Sequence, residues 1–224
     1  MSTAKPRTVV ITGAAGALGQ AVVAELGPGN HLVLVNRHVV EAPHGVLSLA
    51  ADVTSDEAMA HAAGLVARRF GSVDWLVHVA GGFEMGEPVH ELSRATWDRL
   101  MDLNAWSFVT VTKHLVPLIR GGSGGGIVAV SAASAASGDP YKGAYAASKA
   151  ALQRLVESQA AELRGEGIRV NSVAPTVLDT PANRAAMPDA DRAGWTSLQD
   201  AARAIGFLLS DAGRAVTGRH LVLG

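Results

Sequence analysis

A glycine-rich turn, Thr12-Gly13-Ala14-Ala15-Gly16-Ala17-Leu18-Gly19, constrains this chain more than any other stretch. It follows a short apolar run, Thr8-Val9-Val10-Ile11, that reads as a buried strand. It precedes Gln20-Ala21-Val22-Val23-Ala24-Glu25-Leu26, which reads as a helix. Such a turn directs backbone N–H groups outward at the positive end of the helix dipole, where a phosphate or pyrophosphate binds. Gly13 permits the tight turn, Gly16 lets a ligand approach the backbone, and Gly19 lets the helix pack against the strand. The plain alternative is an ordinary strand–helix turn, and the rest of the chain decides between the two.

Apolar runs and helical patterns alternate through the remainder. After the turn Pro28-Gly29-Asn30, His31-Leu32-Val33-Leu34-Val35 reads as a second buried strand. The connection Asn36 to Gly45 contains Pro43 and is too short for a full helix. Val46 to Ala51 reads as a third strand ending at Asp52, Ser55 to Phe70 as a helix, and Val73 to Val79 as a fourth strand. The cleanest helical period runs from Ser93 to about Ile119, where Trp97, Leu100, Met101, Asn104, Phe108, Val111 and Leu115 form one stripe. Asn104 is an amide on that apolar stripe and needs a specific partner, either to mend a backbone irregularity or to serve a site. Gly121 to Gly126 reads as a turn, Ile127 to Val130 as a fifth strand, Tyr145 to Leu163 as a helix, and Ile168 to Val173 as a sixth strand. Thr176 to Ser197 reads as irregular, Leu198 to Leu209 as a helix and Arg219 to Leu223 as a last strand. Strands that are apolar along their whole length and alternate with helices predict an α/β fold. The expected architecture is a single doubly wound parallel sheet of about seven strands with helices on both faces, in one domain spanning 1–224.

Composition removes several classes of function. A net charge of −1 gives no electrostatic basis for binding nucleic acid or an anionic membrane. The absence of cysteine excludes disulfides, thiolate zinc sites and a cysteine nucleophile. The polar start Met1 to Arg7 lacks the apolar core of a signal peptide, and no run is apolar for the length a membrane span needs. A cytoplasmic location is the expectation. The scattered histidines have no metal-ligand spacing, and Trp195 either closes over a ligand or packs.

In a doubly wound sheet, ligands bind beyond the C-terminal ends of the strands. The residues to read are the Thr12–Gly19 loop, Asn36-Arg37, Asp52, His78 to Gly82, Ser131 to Ser134 and Pro175 to Thr180. An acidic residue after the second strand would bind a ribose 2′-hydroxyl and repel a 2′-phosphate. Here Asn36 is neutral and Arg37 is a cation, which favours NADP over NAD; otherwise Arg37 is a solvated surface charge. Tyr145 and Lys149 lie one helical turn apart on one face. An ammonium beside the phenol would favour phenolate and lower a pKa that is about 10 in water, suiting a tyrosine that gives a proton to a substrate oxygen.

With these residues in place the chain resembles a short-chain dehydrogenase/reductase over nearly its whole length. The resemblance is carried by the Thr12–Gly19 loop, Asp52-Val53, Val79-Ala80-Gly81, Asn104, Tyr145-Ala146-Ala147-Ser148-Lys149, Arg169 to Pro175, and Thr217-Gly218. It implies that Tyr145 is the catalytic acid/base, that Lys149 holds the nicotinamide ribose, and that Asn104 supports a proton-relay water. It implies a dinucleotide held by Gly13, Ala15, Gly16, Ala17, Leu18, Gly19, Asn36, Arg37, Ala80, Gly81, Gly82 and Pro175. Asp52 and Val53 would flank the adenine, with Leu178 and Thr180 at the carboxamide. It also implies a homodimer or homotetramer built on the helices carrying Asn104 and Tyr145. A narrower resemblance rests on Gly16-Ala17-Leu18-Gly19, Ala80-Gly81-Gly82, the short connection after the second strand, and Leu178 to Asp191. These are similar to dihydropteridine reductase and its bacterial relatives.

Departures from the pattern bear on mechanism. Ala17 stands at the family's middle glycine, His78 at a usual asparagine and Thr176 at a usual glycine. Counting back thirteen residues from Tyr145 to the usual serine lands on Ala132, with Ser131 and Ser134 as neighbours that a loop shift would bring into place. Without that hydroxyl, the site suits a substrate that needs hydride more than a hydrogen bond, such as a quinonoid ring, or else it is degraded. The expected function is transfer of hydride from NADPH or NADH to a carbonyl, imine or quinonoid carbon of a small molecule, a pteridine among them. The alternatives are a non-catalytic nucleotide-binding regulator and a non-redox biosynthetic enzyme on the same fold.

Overall fold

In the computed structural model, which describes residues 5–122 and 124–224, seven strands form one sheet. They are β1 (Thr8–Thr12), β2 (His31–Asn36), β3 (Leu47–Ala50), β4 (Trp75–His78), β5 (Gly125–Val130), β6 (Ile168–Pro175) and β7 (His220–Leu223). Their order is β3-β2-β1-β4-β5-β6-β7 and every pairing is parallel. The sheet therefore reverses its winding between β1 and β4, and the crevice at their C-terminal ends is the place for a ligand. The helices are α1 (Ala17–Leu26), α2 (Asp56–Phe70), α3 (Arg94–Met101), α4 (Ser107–Arg120), α5 (Gly143–Leu163), α6 (Pro181–Ala186) and α7 (Leu198–Leu209).

Two apolar clusters explain why the strands lack polar–apolar alternation. One buries Val10, Val33 and Ile127 of the sheet against Met59 and Val66 of α2, Phe108 and Leu115 of α4, and Leu152 and Val156 of α5. The other buries Val9, Ile11, Leu34 and Val128 against Leu18 and Val22 of α1 and Ala201 and Ile205 of α7. Both faces of each central strand are thus covered, as a parallel sheet requires. Helix starts are set chemically: Ser55, Ser93, Thr180 and Ser197 each accept a hydrogen bond from a first-turn N–H.

Several boundaries differ from the sequence reading. β4 and β3 are shorter at both ends, β6 continues to Pro175, and the glycine run after α4 contributes Gly125 and Gly126 to β5. The segment from Thr176 to Ser197 is partly ordered by α6 and by a bridge between Leu178 and Thr196. The largest difference lies in the expected helix from Ser93 to Ile119. A π-helical turn, Asp102–Trp106, divides α3 from α4, and the Ser107 N–H reaches back five residues to the Asp102 carbonyl. Asn104 sits inside this turn, 1% exposed. Met1 to Ala4 of the polar start, and Ser123 within the glycine run, lie outside the described residues. Among the described residues no helix is long and apolar enough to cross a membrane.

Candidate active site

The glycine-rich turn closes over the sheet's switch point. Gly13 adopts φ +68°, donates to the Val35 carbonyl at 2.9 Å, and lies so close to the segment after β4 that a Cβ there would stand 2.7 Å from the Ala80 nitrogen. A Cβ on Gly19 would meet the Gly13 carbonyl at 2.2 Å, so Gly19 packs against the turn itself rather than against the strand. Gly16 caps α1 without a side chain on the first N–H groups, and no acidic residue occupies the first turn. Ala15, Gly16 and Ala17 are exposed, whereas Leu18 turns its side chain into the core.

Asn36, at the end of β2, is built into this loop. Its Oδ1 accepts from the Ala15 N–H at 2.9 Å, while its Nδ2 is buried without a partner. A buried donor left open in this way costs about 1–3 kcal/mol unless a ligand fills it. The bare cradle and this orphaned donor fit the ribose–phosphate end of a dinucleotide. Arg37 is exposed, and its charge, after two hydrogen bonds from Thr54, helps hold Asp52 below the usual carboxylate range. Val53 packs into the core with only 6% exposure, so its side chain does not line the crevice.

At the other side of the switch, Ala80, Gly81 and Gly82 leave β4 and run against Asn104. The amide is fully used. Its Oδ1 accepts from the Gly82 N–H at 2.8 Å, and its Nδ2 donates to the Gly82 carbonyl and to Ser148 Oγ, both at 3.0 Å. Ser148 Oγ in turn donates to the Tyr145 carbonyl. A Cβ on Gly81 would stand 2.9 Å from Asn104 Oδ1 and 3.1 Å from Lys149 Nζ, so only glycine fits there without displacing both. The π-turn and the first turns of α5 are therefore locked onto one loop.

Tyr145 and Lys149 project from α5 into the same place. Lys149 Nζ donates to the Val130 carbonyl at 2.9 Å and lies 6.0 Å from the centre of the Tyr145 ring. The Phe83 ring stands edge-on to Tyr145 at 4.9 Å. Burial lowers the Lys149 ammonium to about 8 and raises the Tyr145 phenol to about 12. The expected depression of the tyrosine is thus reversed in this structure, because burial strips water from the phenol.

The structure takes Ser131 out of this group. Its Oγ, buried, donates to the Lys149 carbonyl at 3.2 Å, so the hydroxyl is spent on the backbone of α5. The ungapped position is Ala132, and Ser134 lies half-buried in the turn Ala133–Ala136. Leu178 and Thr180 are likewise engaged internally. Leu178 packs against the core beside α7, and Thr180 Oγ1 accepts from the Asn183 N–H at 3.1 Å. Pro175 ends β6, buried, beside them.

Three participants escaped the residue-by-residue reading. Ser148 is visible only as one of three residues between Tyr145 and Lys149, Val130 acts through its backbone, and Phe83 is an exposed aromatic just past the glycines. Among the described residues no group of three or more histidine or carboxylate side chains is placed to hold a metal ion.

Comparison with known proteins agrees with this fold. A family profile described as enoyl-(acyl carrier protein) reductase matches residues 17–223. A cis-4-hydroxycyclohexanecarboxylate dehydrogenase of Sinomonas cyclohexanicum is 33% identical over 97% of this chain and 94% of its own length. A D-beta-hydroxybutyrate dehydrogenase of Rhizobium meliloti is 29% identical over 83% of this chain and 77% of its own. A short-chain type dehydrogenase/reductase structure from Mycobacterium ulcerans superposes with a TM-score of 0.88 at 28% identity, over 96% of this chain and 87% of that one.

Proposed function

The chain belongs to the short-chain dehydrogenase/reductase family, an oxidoreductase family, and from that premise we propose that it interconverts an alcohol and a carbonyl of a small molecule with a nicotinamide dinucleotide, NADP in preference to NAD. The observation that carries this reading is the convergence of Tyr145, Lys149 and Asn104 beside the open glycine cradle. The whole chain acts as one catalytic domain. When bound, the dinucleotide supplies or takes up the hydride.

The chain's own residues do the rest. The α1 N-terminus and the Asn36 amide hold the phosphate and ribose end, and Arg37 meets a 2′-phosphate. Lys149 and Tyr145 face the nicotinamide end. Tyr145 Oη holds the proton that passes to or from the substrate oxygen, and the pKa that burial raises makes it a donor throughout the neutral range. Asn104 keeps Gly81–Gly82 and α5 in register so that Tyr145 stays placed. Phe83 shields one side of the phenol from water.

Named dehydrogenases of a cyclic hydroxy acid and a linear one favour a secondary alcohol as substrate. A second reading, a quinonoid ring such as a pteridine, is favoured by Ala132. That methyl group leaves Tyr145 as the side-chain hydroxyl facing the reacting oxygen, and a quinonoid acceptor needs no second donor. Tyr145→Phe is expected to lower turnover at least about a hundredfold with dinucleotide binding unchanged. Assay of alicyclic ketones, hydroxy acids and quinonoid pteridines against wild type and variant tests this. Undiminished turnover by the variant overturns the assignment.

A further inference from the structure

His78 is the most deeply buried titratable side chain that this chemistry does not use. It ends β4, is 1% exposed, and stands between two hydroxyls. Its Nδ1 is 2.9 Å from Thr12 Oγ1, at the end of β1 immediately before the glycine turn. Its Nε2 is 3.0 Å from Ser107 Oγ, at the junction of the π-turn and α4. Both hydroxyl residues are fully buried. The Phe108 ring meets the imidazole edge-on at 5.9 Å and fixes its plane.

The surrounding donors and acceptors decide where the ring proton lies. Ser107 Oγ donates to the Leu103 carbonyl at 2.7 Å, so toward the histidine it can only accept. The hydrogen therefore sits on Nε2. Thr12 Oγ1 accepts from the Ala80 N–H at 3.4 Å, and its own hydrogen finds its acceptor in Nδ1. Every group in the chain is then paired, in one direction: Ala80 N–H to Thr12, Thr12 to His78, His78 to Ser107, Ser107 to Leu103. The other tautomer leaves the Thr12 hydrogen without an acceptor and breaks the Ser107–Leu103 bond. The imidazolium also strands the Thr12 hydrogen. In a site closed to water either change carries the desolvation cost of each stranded group with nothing to offset it.

Both ends of this chain of bonds touch the proposed machinery. Thr12 immediately precedes Gly13, and Ala80 is the residue against which Gly13 closes. Leu103 and Ser107 bracket Asn104, which holds Gly82. We propose that His78 is a positioning residue: as the neutral Nε2–H tautomer it ties the glycine turn to the π-turn, so that the dinucleotide cradle and the Asn104–Lys149 group are set together. The proposal rests on the dinucleotide reading above for its consequence, and on the bonds alone for its tautomer.

Two measurements test it. Long-range ¹H–¹⁵N NMR of the cofactor-free protein reads the tautomer directly. The expected result is Nε2–H, unchanged from neutral to mildly acid pH. An Nδ1–H tautomer, or an imidazolium at neutral pH, overturns the proposal whatever the protein binds. The second is a cycle on the NADPH dissociation constant. Ser107→Ala, remote from the glycine turn, is expected to weaken binding about fivefold in the wild type and to add nothing in a His78→Phe background. Thr12→Val replaces His78→Phe as the background should the latter fail to fold. An unchanged constant in Ser107→Ala, or equal losses in both backgrounds, overturns the coupling. Failure of wild type to bind NADPH or NADH counts against the function, and the NMR result stands apart from it.

Discussion

Lys149 shows how a single buried charge is held for chemistry at the expense of stability. Burial lowers its folded-state pKa from 10.5 to about 8. Between those values the unfolded chain binds a proton that the folded chain does not, so stability rises with pH through this window. Below it the full penalty is present, up to about 3 kcal/mol, partly offset by the bond to Val130. Lys149→Met is therefore expected to melt higher than wild type at pH 7, to lose the wild-type gain in stability between neutral pH and pH 10, and to lose turnover. Thermal melts at the two pH values check this; a variant that melts lower at pH 7 contradicts it. Tyr145 and Lys149 were legible in the sequence as a one-turn pair, but their protonation was not. The sign of the tyrosine shift depends on how much water the fold removes, and spacing carries no measure of that. Ser131 misled for a related reason. Its position along the chain is right for a site, while its rotamer points the hydroxyl at the α5 backbone.

Among the elements, the strands and most helices were legible because burial on both faces demands continuous apolar runs and because serine and threonine caps mark helix starts. The π-turn was not. One extra residue shifts the helical phase by about 100°, and the stripe from Trp97 to Leu115 absorbs that shift because both halves present apolar faces. Only Asn104, an amide in the stripe, marked the spot. The π-turn also shapes an outer surface. Met101, Ala105, Trp106 and Val109 face Ala151 and Leu155 of α5 across an open, mainly apolar groove of about 530 Å³, in which Trp106 is 56% exposed. A second copy of the chain, packing its own α4 and α5 there, is the occupant expected from the family resemblance and from the apolar lining. Trp106→Glu is then expected to halve the mass seen by light scattering after gel filtration, without change in helical content. A wild type that is already monomeric contradicts the assembly.

For the molecule as a whole, strand order places the glycine turn, Asn36, Ala80 to Gly82, Asn104 and Tyr145 around one switch point. That convergence was legible because all of these except Asn104 lie at the end of a strand or the start of a helix; Asn104, inside the π-turn, stood out only as an amide on an apolar stripe. The far wall was not. Residues 176–197 fold back through the Leu178–Thr196 bridge and the contact of the Thr176 and Thr196 hydroxyls, about twenty residues apart, which no local pattern encodes. On the proposed function, the cradle with its orphaned Asn36 donor and exposed Arg37 holds a nicotinamide dinucleotide. Titration of the purified protein with NADPH and with NADH, followed by nicotinamide fluorescence, tests it most directly. Saturable binding of both is expected, tighter for NADPH, with the difference lost in Arg37→Ala. Absence of binding by either at sub-millimolar concentration contradicts it.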